Sequence, residues 1–176
     1  MKETEKIEIM HFSQEGYLED GKNVYETGKK MIELADKVAD EGYDAVFLMG
    51  VGGTWDELMQ LEYLMNKFGD RDLEVYLIHA AEWNAMGHKR MTEKSVVITA
   101  SESGTTPEVL EAVKKMKGMG VRVYAMTKPE GPIGQAVGAE NCVAMASDHG
   151  SGGCEKGYYL ADCFGPVSYT HLTLPT

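Results

Sequence analysis

Hydrophobic positions along the chain follow two spacings, one typical of amphipathic helices and one typical of buried strands. At residues 24–39 the apolar positions recur at helical spacing, and residues 45–49 then form a short continuous apolar run. Such a run between turn residues is typical of a strand that is buried on both faces of a sheet. After a glycine-rich turn at 50–54, a second helical stripe is formed by Leu58, Leu61, Leu64, Met65 and Phe68.

The same alternation continues to residue 164. The pattern predicts strands at 73–78, 96–99, 121–126 and 141–145. It also predicts three further helices: one that ends at Gly118 or Gly120, one at 132–137, and one that begins at Gly153. Alternating strands and helices indicate a parallel sheet with right-handed crossovers. We therefore predict an α/β fold: a doubly wound, flavodoxin-like, three-layer α/β/α sandwich around a five-stranded parallel sheet. Its core should include the methionines of these elements, namely Met49, Met65, Met116, Met126 and Met145.

The ends of the chain differ from its centre. Residues 1–23 are polar apart from an apolar patch at 7–12, which predicts an N-terminal arm or a short helix, and we assign a single domain to 24–166. Residues 167–176 carry no helical stripe and resemble the translated adapter sequence found at the ends of truncated gene models. We expect this tail to be an artefact; a genuine disordered tail is the alternative.

Composition excludes several classes of function. The chain has 17 Lys and Arg residues against 28 Asp and Glu residues, a formal net charge of −11, which argues against partners such as nucleic acid and anionic membrane surfaces. Its 3 cysteines have no CxxC spacing, so neither a disulfide framework nor a zinc site is indicated. Without a signal peptide or an apolar run of membrane-spanning length, we expect a cytoplasmic location and no membrane partner.

Two predicted turns carry candidate binding residues. Ligands of open parallel sheets bind beyond the carboxyl ends of the strands, and the glycines of residues 50–55 (GVGGTW) allow the backbone to approach a ligand there. Residues 101–107 (SESGTTP) surround a second helix start with hydroxyl groups. Neither turn contains Lys or Arg, so hydroxyls and helix N–H groups would hold an anion. Well-capped helix starts without a ligand are the alternative.

Nucleotide-binding motifs do not fit the first turn. It lacks the third glycine of GxGxxG, and no Gly-Lys-Ser/Thr follows it. The second predicted strand is followed by His79, without the acidic residue that would hold a ribose. We therefore expect no dinucleotide, no ATP and no other cofactor.

Three segments carry a family resemblance: residues 48–54 (LMGVGGT), 81–83 (AEW) and 98–108 (ITASESGTTPE). They resemble the sugar isomerase (SIS) domain, a phosphosugar-binding fold. Its motifs are close to Gly-x-Gly-[ST]-[ST] after the first strand and Ser-x-Ser-Gly-x-Thr after the third. The second motif is matched in full, whereas Gly53 stands where the first commonly has a hydroxyl residue. The resemblance covers roughly residues 24–164.

Within this family the chain is most similar to fructosamine-6-phosphate deglycases of the fructoselysine and glucoselysine type. The Glu82-Trp83 pair and the segment 126–129 (MTKP) carry this similarity, which extends to the isomerase half of glucosamine-6-phosphate synthase. The resemblance implies sugar contacts from Gly52, Gly53 and Thr54. It implies a phosphate site formed by Ser101, Glu102, Ser103, Gly104 and Thr106, with Glu102 contributing its backbone amide.

The implied activity is conversion of a ketoamine 6-phosphate to glucose 6-phosphate and a free amine by a homodimer, and the residue patterns of this chain indicate no metal site. Enzymes of this family usually contain two SIS domains, with the general acid and base in the second. We therefore expect this chain to be an N-terminal half that anchors the substrate, and no catalytic residue is assigned. The alternatives are a single-domain SIS isomerase, an aminotransferase-type isomerase half, and a non-catalytic phosphosugar sensor.

The sequence gives weaker indications of function for the other candidate ionisable residues. Glu82 could contact a sugar hydroxyl or a neighbouring subunit, although a hydrogen-bonded strand end is the simpler interpretation. His79 and His88 flank it without a metal-ligand pattern. We interpret His149, in the glycine-rich segment 148–153, as part of a linker.

Overall fold

The computed structural model describes residues 14–69, 72–145, 159–161 and 163–164. The strands are β1 (Ala45–Gly50), β2 (Glu74–His79), β3 (Val96–Ser101), β4 (Arg122–Thr127) and β5 (Cys142–Val143). The helices are α1 (Gln14–Glu41), α2 (Gly53–Phe68), α3 (Ala80–Met86), α4 (Pro107–Gly118) and α5 (Pro132–Val137), with a 3-10 turn at Ala139–Asn141. The sheet is parallel, with strand order β2-β1-β3-β4-β5.

Helices cover both faces of the sheet. Alternate residues of a strand point to opposite faces, so Val46 and Leu48 of β1 face a core shared with α1, α2 and Phe164. Phe47 and Met49 face a second core, which is shared with α3, α4 and α5. Every residue of β1 and β3 is buried, including the polar Thr99 and Ser101 of β3, as expected for central strands covered by helices on both faces. The predicted three-layer α/β/α fold is confirmed.

Several element boundaries differ from the predicted ones. Helix α1 begins at Gln14, so the helix includes residues that the sequence pattern left in the N-terminal arm. Strand β5 is confined to Cys142–Val143 because the 3-10 turn occupies the residues before it. Helix α3 was not predicted, since it is 7 residues long and buries only Ala80 and Trp83. The domain limits 24–166 stay a prediction, and the patch at 7–12, His149 and the tail at 167–176 lie outside the described residues.

The core contains the five methionines expected there. Met49, Met65, Met116, Met126 and Met145 are each at most 1% exposed. Phe68, which the helical stripe also placed inside, is the last residue of α2 and is 57% exposed. In the described ranges, no helix combines the length and apolar character that crossing a membrane would require.

Candidate functional site

The connections after β1 and β3 lie side by side at one edge of the sheet. The chain passes from β1 outward to β2, and then returns to β3 on the other side of β1. Met49 and Thr99 are register partners near the carboxyl ends of the two strands. Because α2 covers one face and α4 the other, the two connections diverge and leave a crevice between them. Open α/β sheets bind ligands at such a switch point.

The first wall of the crevice is the turn that links β1 to α2. Gly52 has φ +59° and ψ −130°, a conformation essentially restricted to glycine. Its carbonyl accepts hydrogen bonds from the N–H groups of Trp55 at 2.9 Å and Asp56 at 3.1 Å. The Thr54 hydroxyl lies 3.2 Å from the Val51 N–H and 3.1 Å from the Val51 carbonyl oxygen. The first residues of α2 thereby close the turn.

The second wall is the turn that links β3 to α4, in which hydroxyl groups form two pairs. The Ser101 and Thr106 hydroxyl oxygens lie 2.9 Å apart. The Ser103 hydroxyl accepts hydrogen bonds from the Thr105 N–H at 3.2 Å and from the Thr105 hydroxyl at 3.0 Å. Ser101 is buried, whereas Ser103 and Thr105 are exposed. The hydroxyl side chains that the sequence singled out therefore gather in a single short loop.

Neighbouring elements hold this loop in place. Gly104 has φ +69°, and its N–H donates to the Ser101 carbonyl at 3.2 Å, while its own carbonyl accepts from Ile133 N–H at 3.0 Å. The Thr127 hydroxyl at the end of β4 donates to the same Ser101 carbonyl at 2.7 Å. A side chain at Gly104 would place its Cβ 3.2 Å from the Thr127 hydroxyl oxygen. The loop is thus packed against β4 and the start of α5.

Both turns offer backbone donors at the crevice. In the described part of the chain, the N–H groups of Gly53, Thr54, Ser103 and Thr106 donate to no protein acceptor. This is usual for Gly53 and Thr54, the first residues of α2, whereas Ser103 lies in the loop before α4 and Thr106 is the N-cap of α4. The Gly104 N–H, by contrast, already has an acceptor inside the loop. Helix N-termini with free N–H groups favour anions through both hydrogen bonding and the helix dipole.

Sequence reasoning did not single out Thr127 and Lys128 as parts of this site. Thr127 supports the Ser101 carbonyl, and Lys128 follows β4, with its Cβ 3.5 Å from the position of a Cβ added at Gly104. Their position at the end of a predicted strand could have indicated them. Strand β4 lies beside β3, so its carboxyl end reaches the same edge of the sheet. Lys128 places a cationic side chain beside a loop that contains none.

The remaining sequence candidates lie on the other side of β1. His79 ends β2 as the register partner of Gly50, and Glu82 is exposed on α3. The His88 Nδ1 accepts a hydrogen bond from the Arg90 N–H at 3.3 Å, and its ring lies 4.6 Å from the Tyr76 ring. Among the residues that the structure describes, no group of three or more His, Cys, Asp and Glu residues is placed to hold a metal ion.

The chain is similar in sequence to two curated proteins, whereas no profile of a known protein family matches it. It is 33% identical over 93 residues to the fructosamine deglycase FrlB of Bacillus subtilis, an alignment that covers 52% of this chain and 28% of the relative. It is 24% identical over 144 residues to the isomerizing glutamine–fructose-6-phosphate aminotransferase of Pyrococcus horikoshii, covering 81% of this chain and 24% of the relative. The chain thus spans about a quarter of the length of the curated relatives it matches.

Solved structures of phosphosugar proteins share the fold. The C-terminal domain of the glucosamine-fructose-6-phosphate aminotransferase of Francisella tularensis aligns with a TM-score of 0.64 at 15% identity, covering 94% of this chain and 51% of that one. The NanR protein of Vibrio vulnificus, solved with ManNAc-6P, aligns with a TM-score of 0.67 at 16% identity, covering 87% of this chain and 60% of that one. The relatives and structural neighbours of the chain are phosphosugar isomerase (SIS) domain proteins, and the resemblance drawn from its motifs is confirmed.

Proposed function

We propose that the crevice between β1 and β3 binds the phosphate of a fructosamine 6-phosphate, and that the protein takes part in its conversion to glucose 6-phosphate and an amine. The observation that carries the proposal is the meeting of two helix starts, with unused N–H groups, at a loop of clustered hydroxyls. Phosphate oxygens accept hydrogen bonds from both kinds of donor. The same arrangement would serve any sugar phosphate.

Each predicted residue has a distinct part in the proposed site. Ser101, Ser103 and Thr106 hold the phosphate through their hydroxyls. Because the Ser101 and Thr106 hydroxyls share one hydrogen bond, this pair has one hydrogen left to donate to the phosphate. Glu102, whose side chain is exposed, contributes its backbone amide. Because the Gly104 N–H is occupied by the Ser101 carbonyl, Gly104 acts by giving the loop its conformation.

The turn after β1 lies where the sugar would extend from a phosphate at the loop after β3. Gly52, Gly53 and Thr54 line this part of the proposed site. The unused N–H groups of Gly53 and Thr54 are donors for sugar oxygens, and Gly52 has no side chain to keep the ligand away from the backbone.

The proposed reaction needs an anchor as well as proton transfer. A ketoamine 6-phosphate loses a proton at C1 and gains one at C2, and water then hydrolyses the resulting imine to the aldose and the free amine. An acid–base group with a pKa near neutrality must move the protons. Binding energy from the distant phosphate orients the reacting carbons. The residues assigned here perform the anchoring, and we assign no acid or base.

The choice of a deglycase rests on sequence similarity. The deglycase relative is 33% identical in its aligned segment and the aminotransferase relative 24% identical in a longer one. Both relatives are named for fructose-derived compounds. The proposal also includes a homodimer and a cytoplasmic location, as the family resemblance implies.

Removing two hydroxyls tests the phosphate site. We expect near-saturating glucose 6-phosphate to raise the Tm of the wild-type protein by about 5–10 °C. The Ser101→Ala/Ser103→Ala variant should lose most of this shift, because it removes direct phosphate donors. Differential scanning fluorimetry with glucose 6-phosphate and with unphosphorylated glucose measures the effect.

Two further variants make the result specific. Thr92→Ala removes a hydroxyl at the opposite edge of the sheet, where Thr92 donates to Asp44 at 2.7 Å, and should keep the full shift. Ser103→Ala alone changes an exposed side chain, so it should weaken the shift without a folding defect. An unchanged shift in the double variant would refute the phosphate assignment.

A further inference from the structure

A cavity lies beside β2, on the far side of β1 from the proposed phosphate site. It has a volume of about 200 Å³, and its lining includes Tyr76, His79, Glu82, Trp83 and His88. His79 is the register partner of Gly50, the residue at which the first turn of the crevice begins. The His79 end of the cavity therefore reaches the edge formed by the carboxyl ends of the strands, where the crevice also lies.

The chemistry of the cavity favours a cation. Glu82 is the lining residue with a carboxylate, and four others have aromatic rings: Tyr76, His79, Trp83 and His88. A carboxylate together with aromatic rings is a typical environment for an ammonium group. The nearby Arg90 guanidinium does not compete for Glu82, because it donates to the Glu74 carboxylate at 2.8 Å.

The wall that carries Glu82 is fixed in position. Asn84 connects α3 to α4. Its side-chain NH2 donates to the Glu108 backbone carbonyl at 2.8 Å, and its backbone carbonyl accepts from Lys115 Nζ at 3.2 Å. Trp83 is 5% exposed and packs in the core beneath the cavity. A binding group on such an anchored element loses little conformational freedom when a ligand binds.

The distance between the loop after β3 and the cavity beside β2 matches the length of a single ketoamine 6-phosphate. Strand β1 lies between β2 and β3, and neighbouring strands are about 4.8 Å apart. The ends of β3 and β2 are therefore separated by about 10 Å. A six-carbon ketoamine with phosphate on C6 and nitrogen on C1 can extend over a comparable distance across the turn after β1.

We propose that the cavity beside β2 binds the protonated amine of the ketoamine substrate, with the Glu82 carboxylate as its counter-ion. The inference rests on the proposed function and specifies how the substrate would differ from an ordinary sugar phosphate. Glu82 selects a sugar phosphate that carries an amine at C1, while the loop after β3 holds the phosphate.

Comparing the affinities of a ligand with an amine and one without it distinguishes binding at the amine site from binding at the phosphate site. Isothermal titration calorimetry would measure the Kd of fructosamine 6-phosphate and of fructose 6-phosphate, which lacks the amine. We expect the wild-type protein to bind the amine-bearing ligand about tenfold more tightly. Glu82→Gln should abolish this preference and leave the Kd of fructose 6-phosphate unchanged, whereas Glu82→Asp should retain part of it.

Glu93→Gln is the matched control, because it removes the same charge from an exposed residue at the amino edge of the sheet. It should leave both Kd values unchanged. Equal affinity of the wild-type protein for the two ligands, or a preference that survives in Glu82→Gln, would overturn the amine site while leaving the phosphate site intact. Binding of neither ligand would instead refute the proposed function and the amine site with it.

Discussion

The loop after β3 shows how single residues determine the shape of the candidate site. Ser101 directs its hydroxyl to Thr106 and its carbonyl to two donors, the Gly104 N–H and the Thr127 hydroxyl. This arrangement requires the left-handed conformation of Gly104, which costs other residue types about 1–2 kcal/mol. Glycine at position 104 is therefore explained by backbone geometry and by the nearby Thr127 hydroxyl.

Another residue-scale feature lies at the opposite edge of the sheet. Partial burial pulls the pKa of Asp44 upward, but hydrogen bonds from the Thr92 and Ser95 hydroxyls outweigh this effect and lower the pKa below its ordinary value. A lowered pKa in the folded state stabilises the protein above the unfolded pKa of about 3.9. That stability is lost as the pH falls through the folded pKa.

Replacing Asp44 with Asn should therefore change the acid dependence of stability. We expect Asp44→Asn to lower the free energy of unfolding by about 1 kcal/mol at pH 7. The difference from the wild type should shrink as the pH falls from about 4 through the lowered folded pKa, because the carboxylate is protonated first in the unfolded chain and then in the folded protein. Urea unfolding at pH 7, 5, 4 and 3 measures both effects. A difference that stays constant over this range would contradict the explanation.

At the scale of elements, the site depends on how β1 and β3 are joined. The Thr99 hydroxyl is fully buried and donates to the Met49 carbonyl at 2.9 Å, directly below the two turns. This side-chain bond adds to the contacts between the strands. It fixes the ends of β1 and β3 relative to one another, and with them the two walls of the crevice.

Removing this bond should destabilise the sheet. Thr99→Val keeps the side-chain shape, and we expect it to lower the free energy of unfolding by about 1–2 kcal/mol, because a buried hydrogen bond is lost. Thr27→Val is the matched control, since its hydroxyl donates to the Asn23 carbonyl on the exposed surface of α1; its effect should stay within about 0.5 kcal/mol. Chemical denaturation of both variants provides the comparison, and equal effects would argue against a special role for Thr99.

At the scale of the whole molecule, residues distant in sequence complete the cover of the sheet. Phe164 is fully buried and belongs to the core that also contains Met31 of α1 and Leu58 of α2. Gly28 of α1 accommodates the same segment, since a Cβ there would lie 2.6 Å from the Tyr159 ring. The described residues near 160 are therefore a structural part of the domain.

This packing predicts unequal effects for two phenylalanines. Phe164→Ala should lower the free energy of unfolding by about 3–5 kcal/mol, because it leaves a cavity in the core. Phe68→Ala makes the same chemical change at a side chain that is 57% exposed, and should cost less than about 1 kcal/mol. Thermal and urea unfolding of the two variants measure the difference. Similar losses would show that Phe164 does not pack as described.

Elements with a long, regular hydrophobic pattern could be predicted from the sequence, and short elements without such a pattern could not. The apolar run of β1 and the mainly apolar start of β3 predicted buried strands, since strands between two layers of helices are rich in apolar residues. Helix α3 was not predicted because its sequence has no repeating apolar stripe; the buried side chains of Ala80 and Trp83 anchor it instead. The hydroxyl loop was predictable from residue type, whereas the support by Thr127 depends on β4 lying beside β3.

The sequence by itself determined the alternation of strands and helices, the buried faces and the two turns with suitable donors, because these follow from local spacing and residue chemistry. The tertiary structure decided which turns meet, since strand order brings β1 beside β3 and places β2 at the edge. It also decided that the Gly104 N–H is used internally and that Glu82 and His79 line one cavity. These relations join residues that are distant along the chain, so local pattern alone could not establish them.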